Sequence, residues 1–280
     1  MRSHYTSQLK DLEDNSRVTL CGWVQEIRRI GNIAFLILRD REGIAQFTVI
    51  KKDVGEKLYN EIVSLSRESV VCAGGILKKE SKSSLGMEIM LNEIKVLNRA
   101  ETPLPMGVVD KVSVDIETRL NHRFMDLRRP EVMAFFKIES SISRAIRETL
   151  EQRGFIEIHT PKIIATATEG GTNLFRVKYF EKDAYLTQSP QLYKQIMMAA
   201  GFDKVYEIGP AFRAEEHNTT RHLNEFISID IEMSFSTDND VMDLLEDVIV
   251  NATKYVRENN SKELEILNID WKIPEKPFPK

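Results

Sequence analysis

Cysteine is almost missing from this sequence: Cys21 and Cys72 are the only two in 280 residues. That excludes a disulfide-rich scaffold and a cysteine-built zinc site. Each sits in an apolar, strand-like run, so two buried free thiols are expected. Long apolar runs are missing too, and none approaches the ~20 residues of a membrane-spanning helix. The first residues, Met-Arg-Ser-His-Tyr, carry no apolar signal region, which together with the cysteines predicts a cytoplasmic protein with no membrane partner. An excess of positive charge is also absent. The formal net charge of −4 excludes a protein that coats nucleic acid with its whole surface and confines any RNA contact to local basic patches. Internal repeats and low-complexity tracts are not found. What is present is an ordinary globular composition, 42% hydrophobic and 29% charged, in a chain long enough for two domains with cores of their own.

Residues 18–27, 33–39 and 44–50 read as strands, and a helical stretch follows at 54–65 with Leu58, Ile62 and Leu65 at helical spacing. Residues 70–77 and 87–97 read as two more strands. Five strands with a helix between the third and fourth is the order of an OB-fold, a small barrel used for oligonucleotides, although other small barrels share it. Residues 98–115 hold Pro103, Pro105 and Gly107 without a clear period, as a linker does. Phe135, Ile138, Ile142, Ile146 and Leu150 then mark a strong helix, with Gly154 where it would stop. A strand is expected at 155–161. A short helix begins at Ser189-Pro190 and runs to Gly201. A third spans 238–259, with Val241, Leu244, Leu245, Val248, Ile249 and Tyr255 on one side.

The most informative stretch is 212–226, Phe-Arg-Ala-Glu-Glu-His-Asn-Thr-Thr-Arg-His-Leu-Asn-Glu-Phe. It lies between apolar segments 205–208 and 227–233, which predict an antiparallel hairpin with a long charged loop. Arg213 and Glu215 are two apart and share a face of an extended chain. On the return strand Ile227, Ile229, Ile231 and Met233 suit a core, while Phe226, Ser228, Asp230 and Glu232 form the other face. A guanidinium for phosphate, a ring for a purine and a carboxylate for an exocyclic amine suit a nucleoside triphosphate.

Two further patterns point to a small ligand. Residues 168–172, Thr-Glu-Gly-Gly-Thr, form a loop whose glycines allow close approach of ligand and backbone. Gln191 and Lys194 are three apart at a helix start and share a face. Glu169 could hold an ammonium and Lys194 a carboxylate; the alternative for Lys194 is a solvated helix surface. If buried, it needs a negative partner.

The 212–226 stretch resembles the second signature motif of class II aminoacyl-tRNA synthetases, and in detail the aspartyl type of archaea and eukaryotes. The resemblance covers essentially the whole chain; the class I signatures do not occur. It implies an α+β protein: a five-stranded OB-fold anticodon-binding domain at 1–100, a hinge at 101–118, and the first part of an antiparallel-sheet catalytic domain at 119–280. Motif 1, at about 135–161 and ending in Pro161, would form a homodimer interface. Motif 2 would lie at about 205–233.

The implied reaction joins L-aspartate and ATP into aspartyl-adenylate, with Mg²⁺ bridging phosphates, and passes the acyl group to tRNA(Asp), with tRNA(Asn) left open. Glu169, Gln191, Lys194 and Arg213 would bind the amino acid, Arg213 acting at the α-phosphate. Arg213, Glu215, Arg221, His222, Leu223 and Phe226 would bind ATP, and Asp230 and Glu232 would support a metal or order waters. In the barrel, Phe35 and Gln46 match the family's anticodon readers and Arg28 and Arg29 could hold the backbone. Without the family, Phe35 reads as a core ring. Gln25 and Ser84 stand where tRNA discrimination is set.

The family's third signature, a glycine-rich segment with an ATP-clamping arginine, is not within these residues. Its main metal ligands are also expected beyond Lys280, and none within this chain. The chain is therefore expected to be the N-terminal portion of a synthetase, poorly active alone. The rivals are an asparaginyl enzyme, against which Lys194 and the Glu216-His217 pair speak, and a non-catalytic tRNA-binding relic.

Overall fold

The computed structural model of the chain describes residues 1–79, 83, 85–109, 112–166, 174–216, 219 and 222–279. The chain divides into two compact units, Met1–Asp126 and Leu127–Lys280. Among the described residues no helix is long and apolar enough to cross a membrane.

The first unit opens with a 3-10 helix, Thr6–Asp11. There follow β1 (Arg17–Ile30), β2 (Ile33–Arg39), β3 (Ile44–Ile50), α1 (Lys51–Val54), α2 (Glu56–Val63), β4 (Val70–Lys78) and β5 (Glu88–Asn98). The strands close a barrel in the order β1-β2-β3-β5-β4. β3 and β5 run parallel; the other neighbours are antiparallel. Ala34, Leu36 and Leu38 of β2 and Ala45, Phe47 and Val49 of β3 are buried in one core. This period-two burial sets the register, because a one-residue slip would turn every one of them outward. Gly55, at φ +83°, separates a preceding turn of helix, α1, from α2, so the helix expected at 54–65 starts at Glu56, and Tyr59, Ile62 and Leu65 pack into the barrel core. At Gly75 a Cβ would lie 2.2 Å from the Met90 carbonyl oxygen, so β4 and β5 approach closely there only because the residue is glycine.

The barrel overturns one expectation. Cys21 and Cys72 are not free thiols; they stand opposite each other on β1 and β4 and form a disulfide, with Cα atoms 4.0 Å apart. They are 51 residues apart in sequence, and only closure of the barrel makes them neighbours. Beyond β5, Met106 and Val108 bury themselves against Met125, so part of the stretch read as a linker has a small core. Two short helices, α3 (Ile116–Asn121) and α4 (Arg123–Asp126), follow. The Asp126 carboxylate is fully buried. Burial would raise its pKa, but Arg119 (2.7 Å) and Arg123 outweigh that and hold it below the ordinary carboxylate range.

The second unit begins with α5 (Pro130–Gln152). It continues through β6 (Ile156–Glu157), β7 (Ile163–Ile164), β8 (Arg176–Tyr179), β9 (Lys182–Leu186), α6 (Gln191–Ala199), β10 (Lys204–Phe212), β11 (Glu225–Met233), α7 (Asp238–Asn259) and α8 (Ser261–Leu267). One sheet has the order β11-β10-β6, the other β7-β9-β8. Ile146 and Leu150 of α5 meet Leu244 and Val248 of α7 over Phe155 and Tyr206. The Tyr206 hydroxyl lies 3.3 Å from both Glu151 and Glu157. Burial first, then the two carboxylates, push its pKa far up.

Two apolar helix stripes are only partly buried, and one core expectation, on β11, is corrected. Phe135 is 59% exposed although its helical neighbours Ile138 and Ile146 are buried. On α7 the buried stripe is Leu244, Val248, Ala252 and Val256, whereas Val241, Leu245 and Ile249 face outward. On β11, Ile231 and Met233 pack on the core, but Ile227 and Ile229 are exposed, because β11 is an edge strand whose distal half extends past that core. The strand expected at 155–161 is short, β6 pairing with β10 at Ile156 and Glu157.

Candidate functional site

The site grows from the β10–β11 hairpin, whose register runs from Lys204↔Met233 to Phe212↔Glu225. Its loop is tied at the base: Arg213 N–H donates to the Asn224 carbonyl at 3.0 Å, and Glu215 N–H donates to Asn224 Oδ1 at 3.0 Å. Further out, Thr219 Oγ1 and His222 Nδ1 share a 2.7 Å hydrogen bond, and Leu223 is exposed. Phe226 pairs with Ala211, which puts Arg213, two residues on, at the diagonal position on the same face. Its guanidinium carbon lies 5.3 Å from the centre of the Phe226 ring, a cation–π contact. The structure thus brings together Arg213 and Phe226, with Glu215 in the adjoining loop. Glu169 and its glycine loop, Arg221 and His217 lie outside the described residues.

Farther down β11 the open face becomes acidic and meets α6. Pro190 is the N-cap residue rather than the first helical one, and the preceding Ser189 hydroxyl accepts from Gln191 N–H at 3.2 Å. This places Gln191 and Lys194 over the strand. Lys194 is buried, 4% exposed, which decides against a solvated lysine. Its Nζ donates to Asp230 Oδ1 at 3.1 Å and to the Ile231 carbonyl at 3.4 Å, and Glu232 Oε2 lies 3.6 Å away. Gln191 Nε2 reaches the same Glu232 oxygen at 3.4 Å. One ammonium therefore stands between two carboxylates, and the group carries a net negative charge.

Sequence reasoning placed Ser228 on this face but missed its contact and the neighbouring Glu207. Ser228 Oγ donates to Asp230 Oδ2 at 2.5 Å, orienting the carboxylate. Glu207 lies opposite Asp230 in the register and is 2% exposed. It accepts from Thr160 N–H and Oγ1, each at 2.8 Å, and from Lys162 Nζ at 2.9 Å. A charged residue inside the apolar Val-Tyr-Glu-Ile run was the available signal; its partners lie some 45 residues upstream.

The barrel carries the second group of candidates. Phe35 lies outside the barrel core cluster and is only half-buried, so it is not a core ring. It pairs with Arg28 on one side and Thr48 on the other, while Gln46 pairs with Ile37. Arg28, Phe35, Thr48 and Gln46 therefore share the outer face. Gln46 also lines a cavity of ≈ 140 Å³ with Leu9, Met87 and Glu88. Arg28 Nη2 donates to Glu26 at 2.7 Å; that bond holds the Glu26 carboxyl below its usual pKa and raises that of Arg28. Gln25 is the extra residue of a β-bulge, since Val24 pairs with Leu38 and Glu26 with Ile37; bulges of this kind re-aim a side chain. Arg29 lies 5.9 Å from the Tyr59 ring. Ser84 lies outside the described residues.

Comparison with known proteins gives two family matches: tRNA synthetases class II (D, K and N) over residues 115–280 and an OB-fold nucleic acid binding domain over residues 18–97. The aspartate–tRNA(Asp) ligase of Thermococcus kodakarensis is 56% identical over 280 residues, 100% of this chain and 64% of the relative. The aspartate–tRNA(Asp/Asn) ligase of Archaeoglobus fulgidus is 53% identical over 276 residues, 99% of this chain and 64% of that relative. Among solved structures, asparaginyl-tRNA synthetase from Pyrococcus horikoshii, complexed with asparaginyl-adenylate, superposes with a TM-score of 0.92 at 33% identity, covering 100% of this chain and 64% of that one. This chain thus spans 64% of the length of the curated relatives named here. With the closed five-stranded barrel, the Arg213–Phe226 hairpin and a family model matched over more than half its length, the chain belongs to the class II tRNA synthetases of the D, K and N group.

Proposed function

We propose that the protein carrying this chain is a cytoplasmic aspartate–tRNA ligase, in which the barrel reads the anticodon and the second unit holds the aspartate and part of the ATP site. The observation that carries the reading is Lys194, a buried ammonium beside the face that bears Arg213 and Phe226 farther along the strand. A buried ammonium that can exchange one of its carboxylate partners for a ligand's favours an anionic side chain over its neutral amide, because the amide would not replace the lost charge. Aspartate is such a side chain and asparagine is not. Its carboxylate would take Lys194 as a partner alongside Asp230, and Gln191 would direct it.

The α-carboxylate then attacks the α-phosphorus of ATP. The bond to pyrophosphate breaks, aspartyl-adenylate forms, and no side chain becomes covalently attached. Arg213 neutralises the α-phosphate, Phe226 stacks on adenine, Glu215 accepts from its amine, and Arg221, His222 and Leu223 line the distal phosphates and base. The acyl group then passes to a hydroxyl of the terminal ribose of tRNA(Asp), the mixed-anhydride bond breaks, and AMP leaves. Positioning and charge neutralisation supply the rate. Asp230 and Glu232 are both engaged by Lys194, and among the described residues no three metal-ligating side chains converge. The described residues alone do not fit a magnesium site.

Phe35 and Gln46 would stack on and read an unstacked anticodon base, with Arg28 on the backbone. Gln25 at its bulge, with Ser84, would set whether tRNA(Asn) is also accepted, as the Archaeoglobus relative's name states for that protein. The exposed Phe135 and Ile156 support a homodimer through the α5–β6 region. The similarity to an asparaginyl enzyme favours the sister activity as second reading. Pyrophosphate exchange decides, measured on a protein of the relatives' full length carrying this sequence. Exchange with aspartate alone is expected; exchange with asparagine would move the assignment, and none with either would leave a tRNA-binding protein.

A further inference from the structure

The barrel carries a basic cluster that the anticodon reading does not use. Arg2 and Arg41 lie over the Tyr5 ring, their guanidinium carbons 4.4 and 4.7 Å from its centre. One ring thus holds two cations close together, a repulsion that a nearby anion would relieve. Arg2 is exposed, and the Arg41 side chain is 64% exposed. Arg2 Nη2 donates to the Cys21 carbonyl at 2.8 Å and Arg41 Nε to Glu42 at 2.9 Å. Among the described residues this leaves both Nη atoms of Arg41 for a ligand. The cluster is held in place. Asp40 is 5% exposed, and its carboxylate accepts from Thr6 N–H and Oγ1 at 2.8 and 2.7 Å and from the Glu42 and Gly43 N–H groups at 2.8 and 3.0 Å. One buried carboxylate therefore ties the helix that follows Tyr5 to the β2–β3 turn that carries Arg41. Thr6 and Gln46 line the same cavity, so the cluster flanks the face that bears Gln46 and Phe35.

We propose that Arg2 and Arg41 bind the RNA backbone next to the base that Phe35 and Gln46 take, donating to phosphate oxygens. The inference rests on the anticodon reading above and adds the groups that hold the strand in register. A guanidinium fork matches a phosphate, and a chain of net charge −4 needs such a local patch to draw a polyanion. Cations already cover the Tyr5 ring, so a base does not stack there. The cluster therefore supplies affinity without reading sequence.

The test is fluorescence anisotropy of the full chain with an anticodon stem-loop of tRNA(Asp), and with the same stem-loop altered at its middle anticodon base, over a series of salt concentrations. Arg2→Gln and Arg41→Gln should each weaken both RNAs alike, by roughly fivefold to tenfold at low salt, and each should lower the slope of log affinity against log salt by about 0.7–1. Preference for the unaltered base should stay as in the parent chain, whereas Phe35→Ala should lose it. Arg41→Gln removes an exposed ion pair and should change the unfolding midpoint little. Arg2→Lys and Arg41→Lys keep the charge and should keep the salt slope, so the test survives an Arg2→Gln protein with a loosened N-terminal segment. A parent chain that prefers the unaltered stem-loop while both Gln variants keep its affinity and salt slope would overturn the proposal and leave the anticodon reading standing. Loss of base preference in the Gln variants, or loss of the slope in the Lys variants, would also overturn it. A parent chain that binds neither stem-loop would sink the anticodon reading and the proposal with it.

Discussion

Each unit buries a cation, and the two are held differently. In the barrel, Arg39 and Glu68 are 6% and 7% exposed, and one guanidinium nitrogen reaches both carboxylate oxygens at 2.8 and 3.0 Å. Both side chains of this ion pair are closed in. In the second unit, Lys194 faces Asp230 and Glu232 together, and those carboxylates stay 18% and 25% exposed. That group has surplus negative charge and an open side. A pair closed off from solvent fixes structure; an accessible group with surplus charge can exchange partners when a ligand arrives. Burial of a charge is common to both, so burial by itself does not mark a site.

The comparison can be broken at either end. Lys194→Met should lower aspartate activation in the full-length protein by about 10³-fold, read by pyrophosphate exchange, and leaves Asp230 and Glu232 without the cation between them. Arg39→Met should leave exchange intact and instead remove one buried partner of Glu68, destabilising the barrel by about 3–5 kcal/mol in a denaturant titration. Adding Glu68→Leu should restore much of that loss, since the paired replacement removes both buried charges. An Arg39→Met protein that unfolds normally but loses exchange would invert the two roles.

Smaller effects sharpen the contrast. Reducing the Cys21–Cys72 bond, which encloses a 51-residue separation, should cost the barrel about 2–4 kcal/mol, seen as a lower thermal midpoint in reductant and absent in Cys21→Ala/Cys72→Ala. Smallest is the surface pair Glu26–Arg28. Glu26 titrates below its ordinary value because of Arg28, so its contribution is complete above the unfolded-state carboxylate pKa and fades as pH falls through the folded one. In a Glu26 NMR titration, Arg28→Gln should move the midpoint upward; an unmoved midpoint would remove Arg28 as the cause.

Much of this was legible in the sequence. The five barrel strands follow from period-two apolar patterning, and Gln191 and Lys194 share a partner, Glu232, as residues three apart on a helix should. The hairpin and the Arg213–Phe226 pairing follow from residue alternation along two strands. What was hidden depends on closure or neighbours. Cys21 meets Cys72 only when β1 and β4 close the barrel. Ile227 and Ile229 have a core residue's spacing, yet their exposure is set by where the neighbouring core ends. Glu207, Thr160 and Lys162 converge from two chain segments, and Gln25 sits on a bulge that no local pattern announces.

The most direct measurement is the ratio of kcat/KM for aspartate over asparagine in pyrophosphate exchange, compared between the full-length protein and its Lys194→Met variant. A site built around a buried cation predicts a ratio of about 10⁴ that collapses toward unity when the ammonium is removed. A ratio that survives the substitution would contradict Lys194 as the selecting charge.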